Sequence, residues 1–135
     1  METHIDYLKK ALEYFEYSFE KVKTLPKHVK DLDHESLETW KSFAARFARA
    51  SDLFLGKYLR GKILESDPGF RGSFRDMLNQ GAKLGFIEDE TTWLKIRELR
   101  NTVAHEYNNQ AFDDYISFLL KYAPHIISIK ELIKR

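Results

Sequence analysis

The chain has 135 residues, with 22 Lys and Arg against 21 Asp and Glu and a formal net charge of +1. That length suits one domain with its own core, and the even charge excludes a general nucleic-acid coat while leaving room for a local basic cleft. No cysteine occurs, which removes disulfide frameworks, Cys–zinc sites and thiol nucleophiles and fits a cytoplasmic protein.

The first predicted element is an amphipathic helix over residues 2–23. Ile5, Leu8, Leu12, Phe15, Phe19 and Val22 recur at spacings of three and four, and Pro26 ends it. A polar connection, Lys27 to Asp33, leads to a second helix that begins near His34–Ser36 and runs to about Leu64. Its apolar stripe is Trp40, Phe43, Phe47, Ala50, Phe54 and Tyr58, and Phe43, Phe47 and Phe54 are read as core rather than as a cofactor pocket. Ser66-Asp67-Pro68-Gly69 is a break with turn chemistry. Ser73 can cap a short third helix carrying Phe74, Met77, Leu78 and Leu84, with Gly85 as its stop.

A fourth helix starts near Asp89 or Thr91 and is expected to reach His105, with Trp93, Ile96, Leu99 and Val103 at helical spacing. Asn108-Asn109 predicts a turn. A last helix follows from about Gln110 and carries Phe112, Ile116, Leu119, Ile126 and Ile129; Pro124 should kink or interrupt it. Residues 1–135 therefore read as a single all-α domain, an up-and-down four-helix bundle with one additional short helix. No apolar run approaches the roughly 18–20 residues of a membrane span. The Met1 end, with Glu2, His4, Asp6 and Lys9, shows no signal peptide.

The chemistry concentrates in Arg100-Asn101-Thr102-Val103-Ala104-His105-Glu106-Tyr107. Arg100 is a permanent cation that binds phosphate bidentately. His105 can exchange a proton near neutral pH. With Arg100 at zero and about 100° per residue, Trp93 falls near +20°, Val103 near −60° and Tyr107, if still helical, near −20°. Asn101 and His105 share a different face, between about +100° and +140°. One straight helix does not aim Arg100 and His105 at one atom. Either the helix unwinds near His105, or a twofold dimer brings one chain's Arg to the other's His. Such a pair suits metal-independent transesterification of RNA: His105 moves the ribose 2′-OH or leaving-oxygen proton, and Arg100 stabilises the phosphorane charge. The same residues also describe ordinary surface and capping groups at a helix C-terminus. His4, His28, His34 and His125 are scattered, form no metal-ligand spacing and are read as surface residues, so no metal or cofactor is expected.

The pattern Arg-x4-His-x-Tyr, with Asn101 after the Arg, resembles the signature of the HEPN superfamily. More narrowly it is similar to the HepT toxins and the related nucleotidyltransferase substrate-binding proteins. Arg46-Phe47 followed by Asp52-Leu53 resembles that family's second helix with its acidic residue. Phe74, Gly85-Phe86-Ile87 and Trp93-Leu94 resemble its approach to the motif helix. The likeness spans roughly residues 40–120, and the first helix matches in type only. Where the family often has a Trp after the acid, this chain has Phe54-Leu55-Gly56-Lys57-Tyr58, a departure in packing.

The resemblance implies a homodimer whose two motifs meet in a cleft. It implies an endoribonuclease toxin with Arg100 and His105 as catalytic residues and Asn101 in support. The implied partners are RNA and a minimal nucleotidyltransferase antitoxin, which transfers AMP onto the motif tyrosine, Tyr107. A phosphate there would pair with Arg100 and fill the cleft with negative charge. Asp52 is placed either to orient Arg100 or His105, or as a solvated acid near Lys57; Arg46 and Arg49 either border the cleft or form a solvated face. The alternative function is a non-catalytic substrate-binding subunit of a nucleotidyltransferase. No membrane association is expected.

Overall fold

Thr3 sets the start of helix α1 (His4–Val22). Its hydroxyl accepts from the Asp6 backbone N–H at 3.3 Å, and the Asp6 carboxylate accepts from the Thr3 N–H at 3.0 Å. This reciprocal capping box satisfies donors that the first helical turn leaves open. The structure is a computed structural model and describes residues 3–102 and 109–134. Leu8, Leu12, Phe15 and Val22 form the inner stripe of α1 and are buried.

Asp33 caps α2 (His34–Leu53) by accepting from the Ser36 N–H at 2.7 Å. Ahead of it, the expected polar connection contains one 3₁₀ turn, Val29–Asp31. Trp40, Phe43, Phe47 and Ala50 are fully buried. α1 and α2 pack antiparallel: Phe15 stacks on Phe43 at 5.2 Å and meets Phe47 edge-on at 6.0 Å, while Phe19 lies 5.9 Å from Phe43. The buried Trp40 donates its indole N–H to the Pro26 carbonyl at 3.1 Å, which ties the connection down. Truncating Phe15, Phe43 or Phe47, each fully buried, to Ala is expected to cost about 3–5 kcal/mol.

The second helix does not end at Leu53. It passes through a π turn, Phe54–Leu59, into α3 (Arg60–Ser66), so the expected end near Leu64 is matched but the π turn is new. Its physical reason lies in the apolar pattern. At about 100° per residue, Ile63 would stand about 160° away from Phe47. A π turn inserts one extra residue and unwinds that drift by about 100°. Phe54, Leu55, Tyr58, Leu59 and Ile63 are thereby all buried.

Ser73 and Asp76 form a second capping box at α4 (Phe74–Lys83). Gly85 stops it with φ +82°, and the Phe86 N–H reaches back to the Gly81 carbonyl at 2.9 Å, a left-handed glycine cap. Leu84, expected in the inner stripe, is instead the capping residue and is 38% exposed.

α5 (Glu90–Asn101) is capped by Asp89, which accepts from the Thr92 N–H at 2.7 Å. It ends at Asn101 rather than at the expected His105, because Thr102 is extended (φ −75°, ψ 130°). The Thr102 hydroxyl closes the end on the Glu98 carbonyl at 2.8 Å.

α6 (Asn109–Ile127) runs through Pro124 without interruption. Pro124 sits on the exposed side, where a freed carbonyl can turn to water. The break falls later, at Ser128, whose hydroxyl donates to the His125 carbonyl at 2.6 Å before α7 (Ile129–Leu132).

The fold is all-α, a helical bundle with a short added helix. α2 lies at its centre and touches α1, α5 and α6, while α4 packs on α5. Among the described residues no helix is long and apolar enough to cross a membrane.

Candidate functional site: an arginine clamped at the end of a helix

Helix α5 delivers Arg100 to the surface. Trp93, Ile96 and Leu99 face the core, and Trp93 rests on Phe54 at 4.8 Å between ring centroids. That contact fixes α5 against the π turn, and Arg100 follows two turns after Trp93 at the edge of the apolar face. There Asp52 of α2 meets it. The Arg100 Nε–H donates to Asp52 Oδ1 and Nη2–H donates to Oδ2, both at 2.7 Å. This is the two-pronged geometry in which guanidinium and carboxylate match best.

Both side chains are accessible, 38% for Arg100 and 39% for Asp52, so solvent screens the pair. Its value is orientation. The fork takes Nε and one hydrogen of Nη2, and Nη1 lies outside it. The hydrogen bonds to Asp52, and then its charge, push the Arg100 pKa further above its ordinary value, so the cation is permanent at any working pH. Asp52 was open between orienting the motif and serving as a solvated acid near Lys57; its fork on Arg100 selects the first geometry.

Tyr115 of α6 stands beside this arginine. Burial raises its phenol pKa, and the Arg100 charge pulls the other way. Tyr115 also lines a shallow hollow of about 350 Å³ with Leu99, Thr102, Ala111 and Phe118. Sequence reading passed over Tyr115. The signal for it is its position on the flank of the α6 core stripe Phe112, Ile116 and Leu119, on the edge that turns toward α5.

The other expected site residues divide. Asn101 is exposed at the last residue of α5. His105 and Tyr107 lie outside the described residues. Because Thr102 is extended, the helical projection that separated His105 from Arg100, and that set Tyr107 beside it, ends at Asn101. Arg46 is held by α1: its Nη1 donates to the buried Ser18 hydroxyl at 2.8 Å and to the Tyr14 carbonyl at 3.4 Å. Arg49 is exposed on α2. His28 and His125, read as surface residues, each face a carboxylate: His28 Nδ1 is 3.0 Å from Asp113 Oδ2, and His125 Nδ1 is 4.0 Å from Glu88 Oε2.

No protein-family model, curated protein or solved structure matches the chain.

Proposed function

We propose that this protein is a HEPN-type toxin, a metal-independent endoribonuclease whose site is assembled from Arg100 and His105 at a homodimer cleft. The observation that carries the reading is the Asp52 fork on Arg100. An acid from the second helix holds the motif arginine at a helix end, where Thr102 turns extended and leads into the rest of the Arg-x4-His-x-Tyr pattern. Asp52 fixes one edge of the guanidinium and leaves Nη1 for a phosphate oxygen. In this mechanism His105 takes the proton from the ribose 2′-OH, or gives one to the departing 5′-oxygen, for about 10²–10⁴-fold. Arg100 stabilises the charge that develops on phosphorus. A minimal nucleotidyltransferase silences the protein by moving AMP from ATP onto the Tyr107 oxygen with release of pyrophosphate, which adds a negatively charged phosphate to the motif.

The test is RNA cleavage by the purified protein in EDTA. Arg100→Ala and His105→Ala are each expected to abolish it without unfolding the bundle, and cleavage retained in both variants overturns the reading. A second reading, a non-catalytic substrate-binding subunit of a nucleotidyltransferase, draws support from the same ion pair, since Asp52 already neutralises part of the Arg100 charge. It is distinguished by tight binding to the nucleotidyltransferase together with no cleavage by the wild-type protein.

A further inference from the structure

Helix α1 buries one face in the core and leaves a run of large rings on the other. Tyr7, Lys10, Tyr14, Tyr17 and Lys21 follow at alternating spacings of three and four, so they form one seam about 21 Å long. The tyrosines are 48%, 58% and 61% exposed. Together they leave roughly 300 Å² of tyrosine surface in water, and an exposed aromatic patch of this kind marks a contact surface. Tyr14, at the middle of the seam, is held in place. The Arg46 guanidinium lies 5.4 Å from its centroid and is itself bonded to the buried Ser18 hydroxyl at 2.8 Å.

The seam carries both charges. Lys10 acts on Asp6, one turn before it, and Glu35 and Glu38 share the depression that Lys21 and Arg46 line. A surface of mixed sign, in a chain of net charge +1, does not repel its own copy. A parallel copy of α1 nevertheless fails, because it sets Lys10 on Lys10 and Lys21 on Lys21. An antiparallel copy centred on Tyr14 fits. Tyr7 and Lys21 stand equally far from Tyr14 along the chain, so Tyr14 meets Tyr14 while Tyr7 of each copy meets Lys21 of the other. Lys10 of the second copy falls opposite Ser18, at the wall of the depression that holds Glu35 and Glu38. Each lysine thus lands on a ring or beside carboxylates. Glu13 and Glu20 project about 80° and 100° away from the centre of the seam and stay at the rim.

We infer that the outer face of α1 is a twofold, antiparallel contact between two copies of this chain, centred on Tyr14. Twofold symmetry repeats every favourable pair. The tyrosines of the two copies bring about 600 Å² to the contact, roughly half of the smallest standard interface, so the dimer is weak and depends on concentration. The inference goes beyond the motif cleft of the proposed function and needs no RNA chemistry. It adds a second twofold contact on different residues, and two such contacts on one chain build a tetramer or an open chain of dimers.

Because the chain has no cysteine, single thiols read the register. Tyr14→Cys puts one thiol at the twofold axis, where facing Cα atoms of two packed helices come within disulfide range. In mild oxidant at micromolar protein it is expected to form a covalent dimer at least about tenfold faster than Glu65→Cys, a control on α3 whose side chain is 70% exposed. Tyr7→Cys and Lys21→Cys, each alone, hold their thiols about 21 Å from those of their own copies and should link no faster than the control. Mixed, they should link to each other. Tyr14→Glu should lower the mass seen by sedimentation, with circular dichroism unchanged.

Tyr14→Cys that links only at the control rate overturns the contact. Fast self-linking of Tyr7→Cys overturns the antiparallel register. A mass that survives Tyr14→Glu and falls only with Phe118→Lys, on α6, assigns assembly to the other face alone and overturns the contact as well.

Discussion

Asp52 and Arg100, 48 residues apart in sequence, meet through two parallel 2.7 Å hydrogen bonds at the point where α5 ends. The pair has little to offer stability, because both partners are more than a third exposed and such pairs contribute about 0–1 kcal/mol. It has much to offer direction. A free arginine samples many rotamers, whereas a forked one presents the same edge each time.

The first prediction separates those two roles. Asp52→Ala should lower unfolding free energy in urea by no more than about 1 kcal/mol. RNA cleavage under the proposed function should fall by about 10²-fold, because a misaimed catalytic group is costly even when nothing else changes. Asp52→Asn keeps the shape with one acceptor oxygen and should fall between. A loss of several kcal/mol with unchanged cleavage would make Asp52 a stability residue instead.

A second prediction concerns two glycines on adjacent helices. A Cβ at Gly61 of α3 meets nothing within 4 Å, so Gly61→Ala should stabilise the protein by about 0.5–1 kcal/mol through helix propensity alone. A Cβ at Gly81 of α4 would stand 2.9 Å from Leu59 Cδ1 and 3.2 Å from Cδ2. Leu59 is fully buried and has nowhere to turn. Gly81→Ala should therefore destabilise by about 1–3 kcal/mol. Paired thermal melts test the contrast; equal shifts for both variants would mean that the π turn and α4 do not approach so closely.

Helix identities and the core were legible because their signals are local and periodic. The capping position of Ser73, the helix start near Asp89, the stop at Gly85 and the stripe through Trp40, Phe43 and Phe47 all follow from short-range chemistry. The π turn was not legible: Phe54, Leu55, Tyr58 and Leu59 suit an α-helical face equally well, and only the later position of Ile63 forces the extra residue. The end of α5 was misplaced for a related reason. Val103 continues the apolar spacing of Ile96 and Leu99, so periodicity extends the helix where the Thr102 backbone leaves it. Of the candidate site, the Arg100–Asp52 fork needed the tertiary fold to be chosen over a solvated Asp52. Tyr115 was hidden in a core stripe, and His105 and Tyr107 remain an inference from pattern.

A third prediction follows from Asp113 of α6. Its carboxylate accepts the Val29 backbone N–H at 2.8 Å and faces His28 Nδ1 at 3.0 Å. The backbone hydrogen bond, with smaller help from His28, holds its pKa below the ordinary 3.8. A depressed carboxylate stabilises the folded state above its unfolded pKa, and that contribution is lost as pH falls through the folded value. Asp113→Asn should therefore be less stable than the wild type by about 1–2 kcal/mol at neutral pH. The gap should close as the pH drops below 3.8. His28→Ala should change little, since that ring is 63% exposed. Urea titrations across the acid range give the answer, and a gap that widens toward low pH would contradict the assignment.

The last prediction concerns the surface beside the arginine. Phe118 is 43% exposed and shares its hollow with Leu99 and Tyr115. An exposed ring beside Leu99, Ala111 and Tyr115, rimmed by the charged Lys95, Glu98 and Asp114, has the apolar centre and polar rim that a helix face presents to a second subunit. Under the proposed function this α5–α6 face joins two protomers. Phe118→Lys should then weaken the dimer by at least about tenfold, since a buried aromatic anchor is worth 2 kcal/mol or more. The monomer should lose almost no stability, because the ring is not part of its core. Sedimentation velocity reads the first effect and thermal melting the second. The same dimer allows complementation if one protomer's Arg100 works with its partner's His105. Inactive Arg100→Ala and inactive His105→Ala proteins, unfolded and refolded together, would form mixed dimers with one intact site each and regain part of the cleavage. If the two groups act within one chain, every mixed dimer carries two broken sites and the mixture stays dead.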